Sequence, residues 1–198
     1  MRVVLATRNA HKVEEVRRIL APHDVELVSL SEFPDVGEVA ETGATFADNA
    51  LLKAEAVASA TGLVALADDS GLAVAALNGM PGVLSARWSG RHGDDAANLQ
   101  LVLDQLADVP DERRGAAFVC AAAAVSPDGG RLVVEGRVEG VLTRSPRGSG
   151  GFGYDPIFVP VGEARTTAEM SPDEKDAISH RGKAFRTLAP RLVDIDAS

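Results

Sequence analysis

The chain has 198 residues, a formal net charge of −9 and a hydrophobic content of 45%, which together predict one folded globular domain spanning residues 1–198. The acidic balance argues against a protein that binds a nucleic-acid polymer, since such proteins carry a basic face. The single cysteine, Cys120, excludes an internal disulfide and a cysteine-ligated metal cluster. No apolar run approaches the roughly 20 residues that cross a bilayer, and the N-terminus lacks a signal-peptide pattern. We therefore expect a cytoplasmic protein without membrane contact.

The first 22 residues predict a strand, a turn and a helix. Residues 2–6 are β-branched and aliphatic, residues 7–10 carry turn and cap chemistry, and apolar residues then recur at helical spacing from His11 until Pro22. A helix N-terminus attracts anions, and Lys12 lies one turn inside this one. Two interpretations stay open at this point: a phosphate site, or ordinary capping by Thr7 or Asn9 with a solvated lysine.

The sequence is organised around a short apolar run that ends in two carboxylates. Residues 63–67 carry no charge and are followed directly by Asp68 and Asp69, which is typical of a strand buried on both faces. Open α/β sheets place their chemistry at such strand ends, and side-chain alternation directs the two carboxylates to different faces. The alternative is an Asp-Asp-Ser-Gly turn that ends the strand. A predicted helix at 49–61 leads into this strand and carries Lys53 beside it.

The remaining elements alternate between strands and helices. The predicted elements are a strand at 25–30, a polar loop at 31–45, a helix at 96–106, a hairpin of strands at 116–126 and 131–138 with an extension at 140–143, a strand at 157–160, the start of a short helix at 167–175 and a last helix at 183–192.

Two later stretches offer groups that recognise a flat ring. Residues 147–156 are rich in glycine and contain Phe152 and Tyr154. Glycine allows close backbone approach to a ligand, and an aromatic ring stacks on a base; a purely structural turn is the alternative. His180 and Arg181 offer donors to a base or an anion, although such a pair is more often capping and surface charge.

Together these features provide cations for phosphates, carboxylates for a divalent ion and aromatics for a base. The sequence has neither a Walker-type loop nor a dinucleotide fingerprint after its first strand. Six segments follow one another along the chain: TRNAHK (7–12), ETGATFADNALLK (41–53), ADDSGLAV (67–74), PG (81–82) with SAR (85–87), GGFGYDP (150–156) and SHRG (179–182). With these segments in this order, the sequence closely resembles the inosine triphosphate pyrophosphatase family, the dITP/XTP diphosphatases that remove deaminated purine nucleotides. Arg8 departs from the family pattern, because relatives often carry glycine there and a positive φ would strain arginine.

The resemblance implies an α/β fold with a long mixed twisted sheet flanked by helices, in two lobes with the active-site cleft between them, usually as a homodimer. It implies Mg²⁺-dependent hydrolysis of ITP, dITP and XTP to the monophosphate and pyrophosphate, which cleanses the nucleotide pool and keeps these bases out of DNA and RNA. By position, Asp69 is the catalytic proton acceptor and a Mg²⁺ ligand, Glu41 is a second metal-site carboxylate, and Asp68 assists. The substrate-binding residues implied in the same way are Thr7, Arg8, Asn9, Ala10, His11, Lys12, Lys53, Ser70, Phe152, Gly153, Tyr154, Asp155, Lys175, His180 and Arg181.

Two other functions are compatible with parts of this pattern. A relative of the same architecture would hydrolyse a different triphosphate, such as a modified pyrimidine nucleotide, but the match at 150–156 and 179–182 on the base side disfavours it. A regulatory module would bind a nucleotide without turnover. That function is disfavoured by three carboxylates near the phosphates, at Glu41, Asp68 and Asp69, because binding alone does not need so much negative charge.

Overall fold

The computed structural model describes residues 1–196, which form six strands and six α-helices joined by loops and short 3-10 turns. The strands are β1 (Arg2–Leu5), β2 (Glu26–Ser29), β3 (Val64–Val74), β4 (Gly115–Val125), β5 (Arg131–Leu142) and β6 (Phe158–Pro160). The helices are α1 (Ala10–Leu20), α2 (Phe46–Thr61), α3 (Asp95–Gln105), α4 (Pro172–Ile178), α5 (His180–Leu188) and α6 (Leu192–Asp196).

The strands form one sheet in the order β2-β1-β3-β4-β5-β6. Strand β1 is parallel to both β2 and β3, whereas β5 is antiparallel to β6. Parallel neighbours need a long crossover, which the segments containing α1 and α2 provide. The predicted α/β fold with a mixed sheet is confirmed, and the hairpin prediction agrees with β4 and β5 being neighbours.

The described chain divides into two compact units. The first contains Met1–Asp69, Cys120–Gly136 and the described part of His180–Ser198, and the second contains Ser70–Val119 and Arg137–Ser179. Strands β3, β4 and β5 each contribute residues to both units.

The first unit buries an apolar layer on each face of its part of the sheet. Val3 and Leu5 belong to a cluster with residues of α1 and α5, while Val4 belongs to a cluster with residues of α2. This division follows from the two-residue alternation of a strand. Ala121 and Ala123 of β4 lie in the α2 cluster, and their small side chains let the helix pack close to the sheet.

The second unit has a separate core with larger side chains. Leu72 of β3, Val102 of α3 and the rings of Phe118 and Phe158 are buried in one cluster. The two ring centroids are 4.4 Å apart with a tilt of 52°, a geometry that aromatic pairs favour.

The prediction that a strand ends at Asp68 and Asp69 is wrong, because β3 continues through both residues to Val74. Local propensity favours a turn, but cations face both carboxylates within the fold, so the strand persists. Gly71 then allows a close approach: a Cβ there would collide with the side chain of Ser85, whose hydroxyl accepts a hydrogen bond from the N–H of Leu72 at 2.9 Å.

Three helix boundaries also differ from the sequence prediction. Helix α2 begins at Phe46 rather than 49, because Thr45 and Asp48 form a reciprocal capping box. The short helix α4 begins at Pro172 rather than 167, with Ser171 as its cap. Helix α5 begins at His180 rather than 183 and ends before 192; Gly182 lies inside it, where a glycine costs only about 1 kcal/mol.

Candidate active site

The turn before α1 contains the first set of predicted phosphate ligands. Asn9 caps the helix by accepting a hydrogen bond from the N–H of Lys12 at 3.2 Å, and the Thr7 hydroxyl accepts one from the N–H of Asn9 at 3.2 Å. Asn9 is therefore the helix cap, and Thr7 fixes the backbone of that cap residue. The lysine is not solvated, since Lys12 Nζ lies 3.0 Å from Asp68 Oδ2 and its side chain is 16% exposed.

The other residues of this turn are exposed. Ala10 and His11 begin α1 at the surface, and Arg8 donates from Nη2 to the carbonyl oxygen of Val36 at 2.7 Å. Arg8 is not among the residues with positive φ within the described chain, where Asn78 is the one non-glycine example. The backbone of this turn therefore tolerates arginine without strain.

Asp68 lies at the centre of a buried ionic network in the first unit. Its Oδ2 accepts from Arg181 Nε at 3.2 Å and Nη2 at 3.1 Å, and Cys120 Sγ lies 3.9 Å away. Arg181 also pairs with the buried Glu15 through Nη1. Burial alone would raise the pKa of Asp68, but Lys12 and Arg181 outweigh burial and hold this pKa well below its ordinary value. Asp68 is therefore a fixed negative charge at neutral pH.

Asp69 has a different environment one residue further along β3. Lys53 Nζ lies 3.6 Å from Asp69 Oδ1 and 2.7 Å from Glu41 Oε1, and Asn49 Nδ2 donates to Asp69 Oδ2 at 3.0 Å. Burial raises the pKa of Asp69, Lys53 opposes that rise, and Glu41 adds to it, so the net shift is upward. For Lys53, burial lowers the pKa, but Asp69, Asp68 and Glu41 outweigh burial and raise it overall.

Asn49 holds this set together from the first turn of α2. Its Oδ1 accepts a hydrogen bond from the N–H of Gly43 at 2.7 Å, while its Nδ2 binds Asp69. A Cβ on Gly43 would approach Asn49 Oδ1 to 2.7 Å and collide with the side chain of Asp48. Glycine is therefore required for the loop that carries Glu41 to lie this close to the helix.

The donor set of Glu41 and Asp69 fits a hard divalent cation. Both side chains offer carboxylate oxygens to one point, which Lys53 faces. Within residues 1–196 there is no group of three or more His, Cys, Asp and Glu side chains suited to hold a metal. Mg²⁺ is ordinarily bound by one or two carboxylates together with substrate phosphates and water, so two carboxylates are sufficient for it.

The glycine-rich loop of the second unit is fixed by Asp155. Its Oδ2 accepts from the N–H of Phe152 at 2.9 Å and from Lys175 Nζ at 2.6 Å, and its Oδ1 accepts from Thr167 Oγ1 at 2.7 Å. A Cβ on Gly151, which has φ of +69°, would collide with this carboxylate. Lys175 Nζ lies 5.0 Å from the centre of the Phe152 ring, so a cation and an aromatic face are held together.

The loop is also tied to the N-terminus of α3. Asp95 Oδ2 accepts from the N–H of Gly153 at 2.9 Å, and the hydroxyl of buried Tyr154 donates to the carbonyl oxygen of Ser85 at 2.8 Å. Burial and the charge of Asp95 raise the pKa of Tyr154. Ser70, the first residue of this unit, is half-buried on β3.

Comparison with known proteins decides the family. A model of the Ham1 family matches residues 3–191. The chain belongs to the Ham1 family. This membership confirms the resemblance that the motifs carry.

Relatives and solved structures of the Ham1 family match nearly the whole chain. The dITP/XTP pyrophosphatase of Streptomyces coelicolor is 62% identical over 198 residues, which cover 98% of each chain. The crystal structure of the nucleoside-triphosphatase / dITP/XTP pyrophosphatase from Mycobacterium abscessus is similar with a TM-score of 0.78 at 62% identity, covering 96% of this chain and 100% of that one. A HAM1 protein from Coxiella burnetii has a TM-score of 0.88 at 43% identity, covering 98% and 99%.

The structure thus assembles the predicted residues of this Ham1 chain in two sets, one in each unit. In the first unit His180 is buried in the opening turn of α5, beside Arg181. A Cβ on Gly136 would collide with the carbonyl oxygen of His180, so the glycine on β5 leaves room for this turn.

No helix within residues 1–196 is long and apolar enough to cross a membrane.

Sequence reasoning missed four residues that hold these sets in place. Glu15, Asn49, Asp95 and Thr167 each bind a predicted site residue or its loop. The signal for Asn49 was present, since it lies one turn before Lys53 on the same helix face. The other three act across long sequence separations, for which a single sequence gives no signal.

Proposed function

We propose that this Ham1 protein hydrolyses ITP, dITP and XTP between the α- and β-phosphates, with one water consumed and the monophosphate and pyrophosphate released. The observation that carries the proposal is a pair of carboxylates, Glu41 and Asp69, that share the ammonium of Lys53. Next to Asp69 on strand β3, Asp68 pairs with Lys12. The names of the relatives from Streptomyces coelicolor and Mycobacterium abscessus supply the substrate class.

The first unit supplies the groups for the triphosphate. Glu41 and Asp69 would hold Mg²⁺, which when bound neutralises phosphate charge and polarises the attacking water. Asp69 orients that water and accepts its proton through a carboxylate oxygen; because a bound cation lowers the pKa of a carboxylate, orientation is its larger contribution. Lys12 and Lys53 stabilise the charge that develops on the phosphates. The hydrogen-bonded turn at Thr7 and Asn9 fixes the backbone N–H groups of α1.

The second unit supplies a ring and a cation for the base. Phe152 would stack on the purine, and Lys175, fixed by Asp155, would donate to the 6-keto oxygen of hypoxanthine or xanthine. The resemblance also assigns His180 and Arg181 to substrate binding; in the first unit, the Arg181 guanidinium binds Glu15 and Asp68. Adenine presents a 6-amino group, which leaves such donors unpaired and is therefore rejected.

The decisive experiment supplies ITP, XTP, GTP or ATP with Mg²⁺ and assays pyrophosphate and orthophosphate separately. Pyrophosphate from ITP and XTP, with little from GTP or ATP, is the expected result. Orthophosphate would instead mean attack at the γ-phosphate. Tight binding of ITP without either product would favour a regulatory module, and turnover of a modified pyrimidine triphosphate alone would favour a different substrate.

We further propose a cellular role that follows from this specificity. Hydrolysis of deaminated purine triphosphates in the cytoplasm would remove them before a polymerase incorporates them into DNA or RNA. The enzyme would act as a homodimer, which light scattering on the purified protein measures directly. Excess hypoxanthine in the DNA of cells that lack the protein, reversed by the wild-type chain and not by Asp69→Asn, tests the role.

A further inference from the structure

Lys53 occupies the point toward which the two candidate metal ligands face. Its ammonium lies 2.7 Å from Glu41 Oε1 and 3.6 Å from Asp69 Oδ1, while the other oxygen of Asp69 accepts from Asn49. Asn49 also binds the Gly43 N–H, so one side chain links Asp69 to the loop that carries Glu41. The side chain of Lys53 is 13% exposed, and the ion pair is therefore poorly screened by solvent.

A divalent cation and this ammonium are competitors for the same oxygens. Mg²⁺ binds carboxylate oxygens at about 2.0–2.1 Å, so a metal held by Glu41 and Asp69 would lie within a few ångströms of the ammonium. Two cations at that separation repel strongly. For the metal to enter, the lysine side chain has to leave, which its flexible four-carbon stem permits without movement of α2.

We propose that Lys53 makes metal binding depend on the nucleotide. Without substrate, its ammonium neutralises Glu41 and Asp69 and keeps the divalent ion out. A triphosphate offers Lys53 new anionic partners, so the lysine moves to the phosphates and the carboxylates accept the metal that arrives with them. This inference rests on the proposed function and adds to it an order of events: the metal binds together with the nucleotide and not before it.

The test measures Mn²⁺ binding to the free protein by electron paramagnetic resonance, with and without α,β-methylene ITP, in which the scissile bond is blocked. The wild type should bind Mn²⁺ weakly alone and much more tightly with the analogue. Lys53→Met should bind Mn²⁺ alone at least about tenfold more tightly than the wild type, because a cation a few ångströms from the metal is removed. Lys53→Arg keeps the charge and should stay weak. Lys183→Met removes a charge from exposed Lys183 of α5 and controls for the net charge of the protein.

Mn²⁺ affinity in Lys53→Met that equals or falls below that of the wild type would overturn the proposal. A second measurement on the wild type covers the case in which Lys53→Met does not fold. The ¹⁵N signal of the Lys53 ammonium should be unchanged by millimolar Mg²⁺ alone and should shift when Mg²⁺ and the analogue are added together; a shift with Mg²⁺ alone contradicts the order. Pyrophosphate release from ITP is assayed separately, so its absence rejects the proposed function, whereas normal release with unchanged Mn²⁺ affinity rejects this inference alone.

Discussion

Asp68 and Asp69 are adjacent residues of the same type, both buried on β3, and their environments are opposite. Asp68 Oδ2 is surrounded by two cations, Lys12 and Arg181. Asp69 shares one cation, Lys53, with a second carboxylate, Glu41. The pKa of Asp68 is accordingly held low and the pKa of Asp69 is raised.

The comparison shows that burial alone does not set the direction in which the pKa of a carboxylate shifts. Both side chains have lost water, and desolvation raises the pKa of each. The balance of neighbouring charges then sets the outcome: Asp68 is fixed in the ionised form and anchors Lys12 and Arg181, while Asp69 is the better proton acceptor. Strand alternation, which directs neighbours to different faces, is what allows two such environments within one dipeptide.

The largest expected effect is on turnover in Asp69→Asn. Asparagine keeps the shape but neither holds a divalent cation nor accepts a proton, so the rate of pyrophosphate release from ITP should fall about 10²–10⁴-fold. The melting temperature should stay near that of the wild type, because the substitution removes a buried charge that repels Glu41. Near-normal turnover in a folded variant would contradict the role of Asp69.

The next effect is on stability in Asp68→Asn, the matched substitution one residue earlier. It leaves Arg181 and Lys12 without their shared counter-charge inside the protein, and breaking one partner of a buried ion pair costs about 3–5 kcal/mol. The free energy of unfolding in urea measures this loss, with Asp69→Asn as the control. Equal stability of the two variants would show that the Asp68 network is not the anchor that the geometry indicates.

The pH dependence of stability should have opposite sign for the two residues. The folded pKa of Asp68 lies below its unfolded value, so its contribution is complete above about pH 4 and is lost as the pH falls below that value. The folded pKa of Asp69 is raised, so its contribution is present below about pH 4 and is lost as the pH rises through the folded pKa. Unfolding free energies should therefore be measured between about pH 3 and pH 7. The difference in unfolding free energy between the wild type and Asp68→Asn should shrink at low pH. The unfolding free energy of the wild type relative to Asp69→Asn should fall as the pH rises. Parallel curves for all three proteins would contradict the assigned shifts.

The parts of the site that the sequence predicted are those set by local chemistry. The cap at Asn9 follows from a polar residue placed between a strand and a helix. The opposed directions of Asp68 and Asp69 follow from strand geometry alone.

The parts that the sequence did not predict depend on partners far away in the chain. Glu15 of α1 is buried because it pairs with Arg181, which lies 166 positions later in the chain. The continuation of β3 through Asp68 and Asp69 has the same cause, since Lys12 and Arg181 stabilise a charge that local propensity would place in a turn. Single-sequence patterns report propensity, and here tertiary charge pairing overrides it.

The smallest expected effect comes from a second pair of adjacent aspartates, at the start of α3 in the second unit. Asp94 caps the helix by accepting from the N–H of Ala97, whereas Asp95 accepts from the N–H of Gly153 in the glycine-rich loop. Asp95→Ala should raise the KM for ITP about threefold to tenfold through loss of one hydrogen bond that positions the loop, with little change in kcat or melting temperature. Asp94→Ala should instead lower stability by about 1 kcal/mol and leave KM unchanged. If both variants raise KM equally, loosening of the helix start, and not the bond to Gly153, controls the loop.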